Sequence, residues 1–567
     1  MLLVALLHSD GARGDERETC DGDGDFHGEP PVVSVRTTGN LTQSRGAPSG
    51  KPGSRVGIAT SAARRRLELV FPGEPCTIIA WNARASSGSM AHTSLDSWRH
   101  PHTELGWRHR HSSNSDSRFS NLLLSLDAQC PETRRTRCRP AWPAFRISAR
   151  ETSVKRVVVV GGGVIGLSAA YALQKRGAVV TVIESHGGSH GASVVNAGWI
   201  CPSLSEPVPA PGLIMTSLKW MRHPDSPLYI KRSLDFDFLR WLLGFWRACN
   251  YRQYTYAIEA MSALNKTTFP LIDEMAAAGV RFEMHRDGIL VVFNSALKME
   301  HELKAIEPLA RYGLKPTRPI HGREVRELEP ALADTINAGF WYEGERSVRP
   351  DTLMSGLTEW LSERMVEFKM NTRVTGFDVV NGQVNAVQTT AGRIPADAVL
   401  IAAGARTGAL ARSAGVRLPI QGGKGCCLDY APPPVPVSRP LDFAESRFAC
   451  TPMNGMVRLA GTMELSGIND IVRPERVAAI ARGASRVLRD WPADPSRAKV
   501  DSGLRPMTPD GLPVIGMLKG YGNLAVASGH AMLGLTLAAS TGDSVAELIT
   551  TGRAPEVLGP FNAARFG

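Results

Sequence analysis

The stretch VVVVGGGVIGLSAAYALQKRGAVVTVIE, residues 157–184, decides how the chain folds. Four valines make an apolar run that turns on Gly161. Gly163 and Gly166 follow at the G-x-G-x-x-G spacing, a helix-patterned segment runs to Gly177, and a second apolar run closes on Glu184. This is the pattern of a β-α-β unit with a dinucleotide turn. Gly161 allows the tight turn, Gly163 lets backbone approach a pyrophosphate, and Gly166 lets the helix lie close to the strand. Val164 and Ile165 open the helix, whose unpaired N–H groups face the phosphates. Glu184 is placed to accept hydrogen bonds from ribose hydroxyls, and its charge would repel a 2′-phosphate, so the unit predicts FAD or NAD rather than NADP. In a chain with 55 glycines the spacing alone carries little. Strand, helix, second strand and acid in register carry the reading.

At 567 residues the chain exceeds one ordinary core and predicts two or three domains. A hydrophobic content of 43% with 21% charged residues is a globular balance, and no apolar run reaches the roughly 18 residues that would suggest a membrane span. The opening MLLVALLH is short and lacks a basic leader and a small-residue cleavage site, so no secretory signal is read. The net charge of +11 invites a nucleic-acid reading. Basic and acidic residues are interspersed on both sides of residue 150, however, so the charge reads as solvated surface and no nucleic-acid partner is expected. The nine cysteines contain no C-x-x-C pair and no metal spacing, which predicts reduced thiols in a cytoplasmic setting and no metal. The adjacent Cys426 and Cys427 read as packing residues.

Residues 1–150 differ from the rest. They hold 19 arginines beside the single Lys51, and seven of the 14 histidines, and no helix or strand period holds over a useful length. Disorder, a targeting extension or a start assigned too far upstream all fit, and the last is favoured because the unit at Val157 sits where proteins of this kind begin. After Glu184 a loop of Gly, Ser and Asn follows the nucleotide strand and offers donors to phosphates or a ring system. Residues 213–280 read as mostly helical. Within them LDFDFLRWLLGFWRACN carries an aromatic and leucine stripe, read as a core-facing helix face with a membrane surface as the sharper alternative. A buried strand over residues 398–402 runs into Gly404. Near the C-terminus, Arg505 is followed by Pro506, Pro509, Gly511 and Pro513, which predicts a rigid turn rather than a strand interior. A last strand then meets Gly529 and His530, and a helix begins near Gly534, offering a second dipole site.

Four blocks, GGGVIG with Glu184, SVVNAGWICPSLSEPVPAPG, GLRPMTPDGLPVIG and SGHAMLGLTLAASTG, resemble the FAD-dependent D-amino-acid dehydrogenase small subunits of the D-amino-acid oxidase and glycine oxidase superfamily. The resemblance covers residues 154–567 and implies an α/β protein: a discontinuous Rossmann-type FAD-binding domain, residues 152–210 with 345–412 and 500–567, and an inserted antiparallel-sheet substrate domain, residues 211–344 with 413–499. Residues 1–151 fall outside both. It also implies that Gly161, Gly163, Gly166 and Glu184 hold the adenosine diphosphate part of FAD and that Ser193, Asn196, Ala197 and Gly198 lie along pyrophosphate and flavin. Val374 would meet adenine, and Gly404, Gly529, His530 and Gly534 would surround the ring. Arg505 would clamp the substrate carboxylate through two parallel charge-assisted bonds. The implied reaction passes the α-hydrogen of a D-amino acid to flavin as hydride, the imine hydrolysing to a 2-oxo acid and ammonia. His530 is given a flavin-shaping role. The electron acceptor is expected to be a quinone or another acceptor, with peripheral contact at the inner face of the cytoplasmic membrane and oligomerisation left open. Many relatives read P-G-K-G-Y-S where this chain has Gly423, Lys424, Gly425, Cys426 and Cys427, and often G-H-G-T-L-G-W-T where it has GHAMLGLT. These departures open two alternatives, secondary or cyclic amines such as glycine, sarcosine, D-proline or D-hydroxyproline, and a non-catalytic flavoprotein subunit.

Overall fold

The computed structural model describes residues 67–71, 74–78 and 155–566, with 189–190 and 221–225 excepted. Before residue 155 it describes one hairpin, Leu67–Phe71 antiparallel to Glu74–Ile78. The expectations for the rest of residues 1–151 lie outside the described residues.

The valine run forms β1 (Arg156–Val160), the turn leads into α1 (Val164–Lys175), and the chain returns as β2 (Val179–Ile183), parallel to β1. A strand buried on both faces reads as an unbroken apolar run, and Val157 to Val160 are all buried. β1 lies inside a six-stranded sheet of order Glu367–Lys369, β2, β1, Ala398–Ile401, Leu524–Ser528, Val514–Met517, parallel apart from the last pair. Its strands come from three separated parts of the sequence, as a discontinuous nucleotide fold requires.

The intervening chain supplies α2 (Phe236–Ala248) and a nine-stranded sheet whose site-bearing strands are β3 (Gln421–Tyr430), β4 (Met456–Leu465) and β5 (Lys499–Met507). The sheet runs β5, β3, β4 and onward through Phe448–Met453, Leu441–Phe443, Ile289–Phe293, Ala338–Tyr342 and Pro319–His321. Leu228–Ile230 joins beside β4. It is antiparallel except at two parallel joins, Leu441–Phe443 with Ile289–Phe293 and Leu228–Ile230 with β4. Both joins pair segments far apart in sequence, so no tight hairpin dictates their direction.

One local expectation fails here. Arg505 and Pro506 lie inside β5, opposite Gly423 and Gly422, and not in a turn. β5 is the edge strand, so the N–H that Pro506 lacks is missing from no ladder that needs it. The turn starts only after Met507. In α2, Asp235 caps the N-terminus by accepting from the N–H of Asp237 at 2.8 Å. The two readings of this segment divide by face: Phe238, Trp241 and Leu242 are buried, whereas Phe236, Leu243 and Trp246 face solvent.

The chain closes with β6 (Leu524–Ser528), next to Ala398–Ile401, and α3 (Gly534–Thr551), which lies against α1. The two helices approach so closely that a Cβ at Gly542 would stand 2.6 Å from the Ser168 carbonyl carbon. Backbone, not a flexible side chain, blocks that position. Gly542→Ala is expected to cost about 1–3 kcal/mol of stability through overpacking, read as a lowered thermal midpoint. An unchanged midpoint would show that the helices are further apart.

Candidate active site

One cavity of about 1680 Å³ is lined both by the glycine turn after β1 and by Arg505. That exceeds the roughly 300–1,000 Å³ of a site for one small ligand and leaves room for an extended dinucleotide with a substrate beside it. At the turn, Gly161 has φ +114°, and a Cβ there would lie 2.4 Å from the Ala402 carbonyl oxygen. A Cβ on Gly166 would lie 1.9 Å from the Gly161 carbonyl oxygen, so strand and helix touch backbone to backbone. Gly163 precedes the first turn of α1, and the Val164 N–H donates to Ser193 Oγ at 3.0 Å. The Glu184 carboxylate accepts from the Gly162 N–H at 2.8 Å, the His186 N–H at 3.0 Å and Ser185 Oγ at 3.0 Å. Burial works to raise its pKa, but these bonds hold it below the usual carboxylate value, so it stays an acceptor at neutral pH.

The loop that follows is pinned from the other sheet. Arg458 on β4, 5% exposed, donates to both oxygens of Asp429 on β3 at 2.7 and 2.8 Å. Its Nη1 also donates to the carbonyls of Val194 and Asn196 at 2.6 and 2.9 Å. Asn196 in turn accepts from the Gly198 N–H at 2.8 Å and donates to the Met532 carbonyl at 3.3 Å. Arg458 is the functional residue that sequence reasoning missed. Its only signal was an arginine set between Val457 and Leu459 in the apolar first half of the strand.

Arg505 projects over β3. Its guanidinium occupies the space above Gly425, where a Cβ would meet Nη1 at 2.2 Å and Cζ at 2.4 Å. Nη1 donates to the Thr462 carbonyl at 2.9 Å. That carbonyl is turned by a bulge in the β3–β4 ladder, at which Thr462 takes φ +61°. Among the described residues no carboxylate pairs with Arg505. Burial pulls its pKa below the usual guanidinium value, with the Cys426 and Cys427 thiols opposing. Its remaining donors are available to an incoming anion.

His530 is 2% exposed; its Nε2 is 3.0 Å from Thr541 Oγ1 on α3, and Nδ1 has no partner. Burial pulls its pKa down to about 3, so the ring is neutral. Met532, Leu533, Gly534 and Leu535 bring the start of α3 to the cavity wall. Elsewhere on the wall, Glu206 accepts from the Tyr254 hydroxyl in a short bond, and Asp442 is raised to about 6 chiefly by burial, against the pull of Arg447.

Gly161, Gly163, Val164, Ile165, Glu184, Ser193, Asn196, Ala197, Val374, Gly404, Arg505, His530 and Gly534 therefore share one cavity. Gly166, Gly198 and Gly529 do not line it. They are packing positions: a Cβ on Gly198 would lie 2.3 Å from the Val348 carbonyl oxygen, and one on Gly529 2.7 Å from Thr508 Cγ2. The side-chain-free turn, two helix starts, an ionised acid at the end of β2 and the unpartnered His530 nitrogen fit an extended FAD.

A discontinuous nucleotide fold carrying a second sheet, with an arginine that no carboxylate among the described residues pairs, is the architecture a flavin-dependent oxidoreductase would need. Residues 156–548 match the family described as DAO, FAD dependent oxidoreductase, and the chain belongs to that family. It is 33% identical over 413 residues to a D-amino acid dehydrogenase of Cereibacter sphaeroides, covering 71% of this chain and 93% of that one. With a D-amino acid dehydrogenase of Helicobacter pylori it shares 28% identity over 400 residues, 70% of this chain and 95% of that one. The fold is similar to glycine oxidase from Geobacillus kaustophilus, with a TM-score of 0.57 at 21% identity, covering 72% and 99% of the two chains. The protein is an FAD-dependent oxidoreductase.

Two outcomes are expected of this geometry. Gly425→Ala is expected to drive the Arg505 guanidinium out of place and, if that guanidinium anchors the substrate, to weaken substrate titration by about tenfold or more, at 1.4 kcal/mol per decade, while the flavin-to-protein ratio stays at wild type. Loss of flavin in step would mean that Gly425 serves the fold instead. As pH falls from 6.5 toward 3, the unfolded chain binds a proton on His530 that the native state refuses, so stability is lost across that window and is fully present above it. His530→Asn should flatten the thermal midpoint against pH there, and parallel slopes for the two proteins would contradict a buried neutral ring.

Proposed function

We propose that the protein oxidises D-amino acids, binding the carboxylate on Arg505, and that the electrons leave to a quinone or another acceptor. The observation that carries this reading is a guanidinium with no carboxylate partner among the described residues, seated on Gly425, in the same cavity as the glycine turn. When bound, FAD supplies the two-electron acceptor. Gly161, Gly163, Ser193 and Glu184 would hold its adenosine diphosphate part, Val374 its adenine end, and Asn196, Ala197, Gly404 and Gly534 would flank the ring. Arg505 would hold the carboxylate through two parallel N–H donors and so fix which face of the α-carbon is presented. The substrate amine must be neutral when the hydride departs, but no side-chain base is required. A histidine with a pKa of about 3 is too weak a base to serve, so His530 shapes the ring site by filling it. Loss of hydride from the neutral amine leaves an iminium ion, which water converts to a 2-oxo acid and ammonium.

The D-configuration and the dehydrogenase reading draw support from the relatives at about a third identity. Secondary or cyclic amines form the second reading. The departures in GHAMLGLT support it, since Ala531 and Leu535 line the cavity. No helix among the described residues is long and apolar enough to cross a membrane. The exposed Phe236, Leu243 and Trp246 of α2 support contact with a bilayer surface, where a quinone would be met.

The test is anaerobic addition of D-alanine, D-proline, sarcosine and glycine to the purified holoenzyme. A D-amino acid is expected to bleach the flavin, and oxygen readmitted afterwards to restore the colour only slowly. Fast reoxidation would make it an oxidase, and no bleaching across a broad amine panel would remove the enzymatic reading. Arg505→Ala should weaken substrate binding severely, by a hundredfold or so for a lost charged pair, with flavin content near wild type. Unchanged kinetics would take Arg505 out of the site.

A further inference from the structure

Lys424 is 2% exposed, a depth at which a lysine is tolerated only when its ammonium is fully hydrogen-bonded. It follows Gly423 and precedes Gly425 on β3, so its side chain leaves the sheet on the face opposite the Arg505 guanidinium. Nζ donates to Asn469 Oδ1 at 2.7 Å and to the Ile471 carbonyl, and lies 3.1 Å from Glu464 Oε1 on β4. Glu464 also accepts from Ser466 Oγ and pairs with Arg473 at 3.4 Å. Asn469 in turn donates to the carbonyls of Ser466 and Gly467 and accepts from the Ile471 N–H at 3.2 Å. Every one of these partners beyond Glu464 belongs to residues 466–473, the connection from β4 to the helix Pro474–Val487.

That connection has little apolar anchoring of its own. Ile468, Ile471 and Val472 are 43%, 63% and 37% exposed. Yet Ile468, Asn469, Asp470 and Val472 line the cavity that Arg505 also lines. A rim that turns its apolar side chains outward is held by polar contacts, and these converge on one buried ammonium.

We propose that Lys424 is a positioning residue that pins residues 466–473 as the rim of the cavity beside Arg505, so that retention of the amino acid depends on a cation that never touches it. The proposal rests on Arg505 as the carboxylate anchor. β3 then serves the substrate from both faces, with Gly425 seating the arginine and Lys424 holding the rim.

Lys424→Met alone strands the buried Glu464 charge and is open to misfolding, so the informative variant is Lys424→Met/Glu464→Leu, in which both charges give way to apolar side chains of similar size. Asn469→Ala removes a rim-side partner and leaves the ion pair intact. In the holoenzymes, amide exchange at residues 468–472, Ile471 above all, is expected to quicken by about tenfold or more in both variants, as loss of a charge-assisted hydrogen bond implies. The flavin-to-protein ratio is expected to stay at wild type, and KM for the amino acid to rise by a similar factor with kcat within about twofold. Wild-type exchange at those amides, or an unmoved KM in variants that hold their flavin, overturns the proposal. If no amino acid reduces the wild-type flavin, the substrate reading falls by itself, and exchange still decides whether Lys424 holds the rim.

Discussion

A single buried guanidinium ties the two sheets to one cavity. Arg458 could not be taken from water at acceptable cost unless its donors were met, and they are met in two directions. Two bonds go to Asp429 on the neighbouring strand of its own sheet, and Nη1 serves the carbonyls of Val194 and Asn196 in the loop after β2. Burial lowers the pKa of the guanidinium, but Asp429 outweighs it, so the group stays charged. Because the same loop contains Ser193, which meets the first N–H of α1, and Asn196, which meets Met532 before α3, one arginine sets how both helix starts face the cavity.

Around that fixed point the Arg505 end of the cavity is built from strain and empty space. Thr462 sits at φ +61°, a conformation costing a threonine about 1–3 kcal/mol, and what the cost secures is a carbonyl aimed at Arg505. The small residues of β3 do the complementary work. Gly425 leaves the volume that the guanidinium fills, and Gly423 leaves that taken by the sulfurs of Met463 and Met507, 2.7 and 2.3 Å from where its Cβ would stand. The chain segment GGKGCC is thus a shape as much as a strand.

Charge is distributed with the same division of labour. Glu184, half-buried and hydrogen-bonded, remains ionised, while His530, fully buried and with one nitrogen unpaired, remains neutral. The β2 end of the cavity therefore keeps an acceptor, and the His530 end adds no second cation to the one on Arg505.

The nucleotide turn was legible in residues 157–184 because every step there is local: consecutive valines, glycines at fixed offsets and an acid at the next strand end obey steric rules that act within about thirty residues. The same holds for Gly534 and the helix it opens. The proline-rich block after Arg505 misled, because proline speaks to the backbone of its own residue and not to whether a strand has a neighbour on its outer side. Only the tertiary structure made β5 an edge, and with it a strand interior for Arg505. Arg458 and Lys424 were equally opaque, since each acts on residues that the sequence places far away: Arg458 on a loop some 260 positions earlier, Lys424 on a rim 45 positions later. By itself the sequence determined that a dinucleotide is bound and which family of chemistry surrounds it. Where the arginine stands, what holds it and what closes the cavity beside it depended on strand order and on a bulge, because those arise from contacts between distant segments whose loop-closure cost is met only when the whole sheet forms.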